Sequence, residues 1–109
     1  MRALVEKLLH RYGSPIALHR GGEKRVFFGF LNHTGSRSLQ NMEEYVEPLG
    51  QIPGGQYVLV APLQPELKPG DTLVLGDKRY LIRRLELQWY GKERLLQWGL
   101  CTEKGGEEN

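Results

Sequence analysis

The stretch that decides the fold runs from Asp71-Thr72-Leu73-Val74-Leu75 through Gly76-Asp77, along Lys78 to Trp89, over Tyr90-Gly91-Lys92, and back as Glu93 to Cys101. It reads as two β-hairpins in tandem that share one long strand, with turn residues where each reversal is needed. The first arm, Asp71 to Leu75, is much shorter than its partner run. The surplus of that run must therefore pair with the strand from Glu93 to Cys101.

The apolar register changes inside the shared strand. Tyr80 and Ile82 have one parity; Leu85, Leu87 and Trp89 have the other, with Arg83-Arg84 between them. A slip of one residue exchanges the faces of a strand, so a bulge near Arg83-Arg84 would turn both sets inward. Bulged long strands let a small sheet curl towards a barrel. In the returning strand Leu96, Trp98 and Leu100 share a face.

Working outward, Gln56 to Leu63 alternates Tyr57, Leu59 and Ala61 with Val58 and Val60. Apolar residues on both sides imply burial on both faces or a barrel wall. Pro62, Pro65 and Pro69 stiffen the connection that follows. Upstream, Lys24 to Leu31 reads as a strand with Phe28 and Phe30 towards the core and Phe27 over a second surface. Ile16 to His19 is extended, and Gly21-Gly22 is a turn. Arg2 to Tyr12 has the spacing of an amphipathic helix, with Leu4, Val5, Leu8, Leu9 and Tyr12 on one face. Gly13 is expected as a left-handed cap, and Pro15 stops the helix. Three turns are not stable alone, so the apolar face must dock on its own domain or on a neighbouring subunit.

Between these blocks, residues 32–55 break the rhythm with Gly, Ser, Asn, Gln and Pro. So long a connection in a small domain is functional, or ordered by a partner, or lies on the domain's own surface. Met42, Tyr45, Val46, Leu49 and Ile52 are spaced like one side of a short helix, with Glu43, Glu44 and Glu47 opposite and Pro48 breaking it. Residues 103–109 form a polar, acidic tail expected to fray. The fold class is thus mainly β: a small curled β-barrel or sandwich of five to six antiparallel strands, one N-terminal helix and a long loop. All 109 residues fall in a single domain.

Composition narrows the function. The net charge of +2 is too small to indicate a nucleic-acid or membrane partner, but residues 1–25 hold six Lys/Arg against two Glu, and the rest nine against eleven. Cys101 is the single cysteine, which excludes an intrachain disulfide and reads as a small buried hydrophobe. Glu6, Lys7 and His10 interrupt the N-terminal apolar residues, so no signal peptide or membrane span is expected. His10, His19 and His33 lack ligand spacing, and Ser14, Ser36 and Ser38 are turn or loop residues without a nucleophile elbow. Asp71 and Asp77 follow glycines at turns, where aspartate serves the backbone. No metal, no cofactor and no enzyme activity are expected. One alternative is an OB-like single-stranded nucleic-acid-binding module using Lys24, Arg25, Phe27, Arg83, Arg84 and Tyr90. Glu86, Glu93 and the acidic loop offset that charge.

Four short motifs carry a resemblance that spans nearly the whole chain. They are Arg11-Tyr12-Gly13 at the helix end, Pro69-Gly70-Asp71 leading into a hairpin, Tyr80-Leu81-Ile82-Arg83, and Gln97-Trp98-Gly99-Leu100. With these the chain resembles the head-closure, or stopper, family of phage head–tail connector and minor capsid proteins, found in tailed phages and prophages. The resemblance implies a structural virion protein at the head–tail interface, assembled in the host cytoplasm. It would form a homo-oligomeric ring between portal or adaptor proteins and tail proteins, closing the DNA channel. By position, residues 32–55 would be the channel loop, with Arg37, Met42, Tyr45 and Leu49 as its candidates. Trp89, Tyr90 and Arg94 are candidates for subunit or tail contact, Trp89 being equally readable as core. The isolated protein is expected to be monomeric or weakly associated.

Overall fold

The computed structural model describes residues 1–33 and 56–104. Helix α1 (Arg2–Tyr12) leads into six antiparallel strands: β1 (Ser14–Arg20), β2 (Glu23–His33), β3 (Tyr57–Ala61), β4 (Thr72–Leu75), β5 (Lys78–Tyr90) and β6 (Glu93–Lys104). They close as a barrel in the order β1-β2-β3-β6-β5-β4, with β4 returning to β1 through Ala17↔Val74, Leu18↔Leu73 and His19↔Thr72. Closure leaves no sheet edge along the wall, which removes the template for unwanted strand pairing.

Turn chemistry sets the hairpins. Gly21 and Gly22 both have positive φ, 56° and 86°, which joins β1 to β2 with the twist a two-residue loop requires. The tandem hairpin forms as its sequence implies. β4 pairs only with Lys78 to Leu81, whereas β6 pairs along the whole of β5. The bulge falls where the register changes: Ile82 faces Cys101 but Arg84 faces Leu100, so Arg83 is the extra residue. A second irregularity lies between Gln88 and Trp89.

The interior is packed by Ile16, Leu18, Phe27, Leu59, Ala61, Leu67, Leu73, Tyr80, Ile82 and Cys101. Both parities of β3 and β6 carry apolar residues because the outer face of β2, β3 and β6 is covered too. Helix α1 lies across β2 and β6, buries Leu9, and sets the His10 ring 4.6 Å from that of Phe28. Trp98 is only 6% exposed. This arrangement reverses the expected assignment of the phenylalanines. Phe27 points into the barrel, while Phe28 and Phe30 are half-buried on the outer face, Phe28 against the helix.

Two other expectations are corrected at the helix. Gly13 is extended, with φ −80° and ψ 177°, and not a left-handed cap. What requires glycine is space: a Cβ there would lie 2.5 Å from the Leu9 carbonyl oxygen and 2.7 Å from that of Gly29. Of the five apolar residues on α1, Leu9 is buried and Val5 half-buried; Leu4, Leu8 and Tyr12 are exposed. The helix docks on the edge of its apolar stripe.

At the boundaries, Asn32 and His33 belong to β2, opposite Val58 and Tyr57, and Glu103 and Lys104 belong to β6, opposite Tyr80 and Arg79. Residues 32, 33, 103 and 104 are thus strand residues and not loop or tail, because ladder pairing extends both strands. Residues 34–55, including Arg37, Met42, Tyr45 and Leu49, and residues 105–109 lie outside the described residues.

Two polar anchors fix the long connection from β3 to β4. Gln97, 2% exposed, projects into the barrel end and accepts from the Leu67 N–H at 2.9 Å. Its amide nitrogen donates to the Pro62 carbonyl at 2.7 Å and the Pro65 carbonyl at 2.9 Å. A proline-rich segment has few N–H groups for a ladder, so its buried carbonyls need side-chain donors. The second anchor is Asp71, which accepts from Arg20 across the β1–β4 seam and from the Lys68 N–H at 2.8 Å. Burial alone would raise the Asp71 pKa. The hydrogen bonds from Arg20 and Lys68 and the charge of Arg20 outweigh it, so the carboxyl sits below the usual carboxylate range.

Closure therefore makes two measurable demands. Across the bulge a Cβ on Gly99 would collide with the backbone carbonyl oxygen of Arg84, which cannot rotate away. Gly99→Ala should cost about 2–3 kcal/mol, the range for overpacking a tight site. Gly76→Ala, where only a φ of 65° opposes the side chain, should cost about 1–2 kcal/mol. Urea unfolding that ranked the two variants in the opposite order would contradict the bulge geometry.

The Asp71 anchor has a defined pH dependence. Because its folded pKa is depressed, its stabilisation is complete above the unfolded carboxylate pKa and is lost as pH falls through the folded value. Asp71→Asn should lower the melting temperature at pH 7, and the gap to wild type should close below about pH 4. A gap that stayed constant to pH 2 would assign the effect to something other than the charge.

Candidate functional site

Exposed apolar side chains lie along α1 and at the tip of the β5–β6 hairpin. Among the described residues the large exposed hydrophobics are Met1, Leu4, Leu8, Tyr12, Val26, Leu87, Trp89 and Tyr90, and all but Val26 lie on or beside α1 or at the far end of β5. The N-terminal ammonium of Met1 lies 3.5 Å from Glu93 Oε1, the first residue of β6, so the start of the helix is held at the hairpin tip. That exposed pair contributes little stability. Its use is positional: the start of the helix lies at the tip of the hairpin.

The hairpin exposes its aromatics because it outruns its neighbours. β4 flanks β5 only as far as Leu81, and β3 flanks β6 only from Gln97 to Cys101. Beyond those points no other strand pairs with β5 or β6. The expectation that Leu85, Leu87 and Trp89 all turn inward after the bulge therefore holds for Leu85 alone, which packs against the core. Leu87 is 43% exposed and Trp89 51%, so Trp89 is not a core residue. Tyr90, 62% exposed, faces Glu93 across the turn, and Trp89 faces Arg94. The Arg94 guanidinium carbon lies 6.0 Å from the Trp89 ring centroid, within cation–π range.

The structure thus brings Trp89, Tyr90 and Arg94 together. Next to them is a cavity of about 470 Å³, lined by Arg2 and Glu6 of α1, by Leu63 and Leu67 of the connection, and by Leu87 and Arg94 of the hairpin. Its lining mixes four leucines, Leu63, Leu67, Leu85 and Leu87, with charged and amide side chains. The helix residues Met1, Leu4, Leu8 and Tyr12 were not among the candidates read from sequence. The available signal was the width of the apolar stripe, more than a short helix on a small barrel can bury.

The residues of the single-strand alternative are not brought together. Phe27 is 5% exposed inside the barrel and has no face for a base. Arg84 pairs with Glu86 at 3.0 Å, Arg83 donates to Thr102 Oγ1 at 3.0 Å, and Tyr90 lies at the hairpin tip. Lys24 and Arg25 sit at the β1–β2 end. Cys101 is fully buried, and burial pushes its thiol up to about 12, far from a nucleophile's range. Among the described residues no three His, Cys, Asp or Glu side chains are grouped to hold a metal ion, and no helix is long and apolar enough to cross a membrane.

The different settings of the two tryptophans give a direct check. Acrylamide should quench wild-type fluorescence in two classes, an accessible one from Trp89 and a protected one from Trp98. Trp89→Phe should leave only blue-shifted, weakly quenched emission. Equal quenching of both residues would overturn this placement. Compared with protein-family models, curated proteins and solved structures, the chain matches none.

Proposed function

We propose that this protein is a structural virion component of a tailed phage or prophage, a ring subunit that completes the head between portal complex and tail and helps close the DNA channel. It works by shape and contact, not by catalysis. The observation that carries the reading is the exposure of apolar residues on α1 and on the β5–β6 hairpin where it overhangs the closed barrel. A face that combines aromatic and arginine side chains is where binding energy concentrates in protein interfaces.

The four motifs of the resemblance support it further, since each falls at a position that shapes the barrel. Arg11-Tyr12-Gly13 seats the helix against Gly29. Pro69-Gly70-Asp71 places the anchor for Arg20. Tyr80 to Arg83 ends at the bulge, and Gln97 to Leu100 holds both the anchor of the proline segment and the glycine of the close approach. Portal or adaptor proteins and tail proteins are the partners in this reading, and virions are where the protein would be found.

The isolated chain should run as a monomer or weak oligomer in light scattering and gain mass as a ring on addition of its portal complex. Trp89→Ala with Tyr90→Ala should weaken that association at least tenfold, a loss of about 1.4 kcal/mol or more, while leaving the melting temperature within a few degrees. A mixture with portal complex that shows no change in mass would count against the proposal.

A further inference from the structure

The outer wall of the barrel carries a second surface of different chemistry. A groove of about 340 Å³ opens between the β1–β2 turn and the outer wall of β4, β5 and β6. Among the described residues His19, Lys24, Arg79 and Lys104 line it, with Thr72 and one carboxylate without an ion-pair partner, Glu23. Arg20 also borders the groove, but its charge is met by Asp71.

Two features need explaining. Arg79 and Lys104 stand directly opposite each other on β5 and β6, and His19 and Lys24 on β1 and β2. Like charges placed opposite in an antiparallel pair, as Arg79 and Lys104 are, destabilise a sheet unless an anion lies between them. The nearby carboxylate of Glu103 does not serve. It points from the other face of β6, where Tyr57 donates to it at 3.0 Å and Lys78 lies 4.0 Å away. Lys104 instead donates to Thr72 Oγ1 at 3.2 Å, which holds its ammonium over the groove.

We propose that this groove binds the phosphate backbone of duplex DNA without reading sequence. Lys24, Arg79 and Lys104 lie on β2, β5 and β6, and β1 and β4 lie between β2 and β5, so the row spans four strand spacings, roughly 19 Å. One phosphate cannot fill that length, whereas a phosphate chain does. Among the described residues the lining has no Phe, Tyr or Trp, its one aromatic ring is the imidazole of His19, and Val74 is its one bulky apolar residue. It therefore lacks both the stacking platform of a single-strand site and the anchors of a protein interface. The site is separate from the apolar surface and stands whether or not that surface joins a ring.

The test is fluorescence anisotropy of the whole chain with a random-sequence duplex over a salt series. Three phosphate contacts, from Lys24, Arg79 and Lys104, give a slope of log K against log salt of about −2.7. Arg79→Gln with Lys104→Gln should reduce it to about −0.9, whereas Lys7→Gln on α1 should leave it unchanged. Because a repulsion is removed, the double variant should melt no lower than wild type. Absence of duplex binding at low salt, an unaltered slope in a folded double variant, or an equal loss with Lys7→Gln would each overturn the proposal. Tighter binding of a poly-glutamate peptide or of a single strand would do so too.

Discussion

The rest of the structure depends on one backbone contact, the seat of Gly99 against the carbonyl of Arg84 across the Arg83 bulge. Arg83 is an extra residue in β5, and an extra residue bends its strand. The bend lets one strand pair with short β4 at its start and with β6 throughout. Gly29 makes the matching approach on the other side, where a Cβ would meet the Val60 carbonyl oxygen. A six-stranded barrel has room inside for side chains and little else. Its tightest turns of the wall must be lined by residues with no side chain.

From that geometry the overhanging hairpin follows. Once the bulge has turned β5 and β6 past the barrel, no neighbouring strand remains beyond Leu81 on one side and Gln97 on the other. The hairpin continues alone and its apolar residues emerge into solvent. Gln97 stands at the exit, where its amide binds the connection from β3 to β4 and lets Leu67 enter the core. The helix covers the outer wall of the sheet with one edge of its stripe and leaves the rest beside the hairpin.

Much of the barrel was legible because its signals are local. The Gly76-Asp77 and Gly91-Lys92 turns, the unequal arms and the parity change at Arg83-Arg84 each report on neighbouring residues, and local pattern is enough to read them. What was not legible depends on contacts distant in sequence. Phe27 and Phe28 could be sorted only by knowing that a helix lies over β2. Asp71 looked like a turn residue, and it is one, but Arg20 lies 51 positions away and no spacing rule joins them. Gln97 has no motif at all; its partners are carbonyls of a proline segment. The exposed residues of α1 were hidden for the same reason, since an amphipathic pattern states which side is apolar and not how much of it is covered.

The charge asymmetry of the chain gains meaning only in three dimensions. The excess of cations in residues 1–25 is not a basic arm. Arg2, Lys7 and Arg11 ride on the helix, Arg20 is neutralised at the seam, and Lys24 meets Arg79 and Lys104 from the other half of the chain around one groove. Arg79 and Trp89 are ten residues apart on the same strand, roughly 33 Å, so β5 links the cationic groove to the apolar tip. β5 is paired on both sides near its start and with β6 along its whole length. The groove and the tip are therefore carried on one continuous strand, which is a property of the barrel that neither surface has alone.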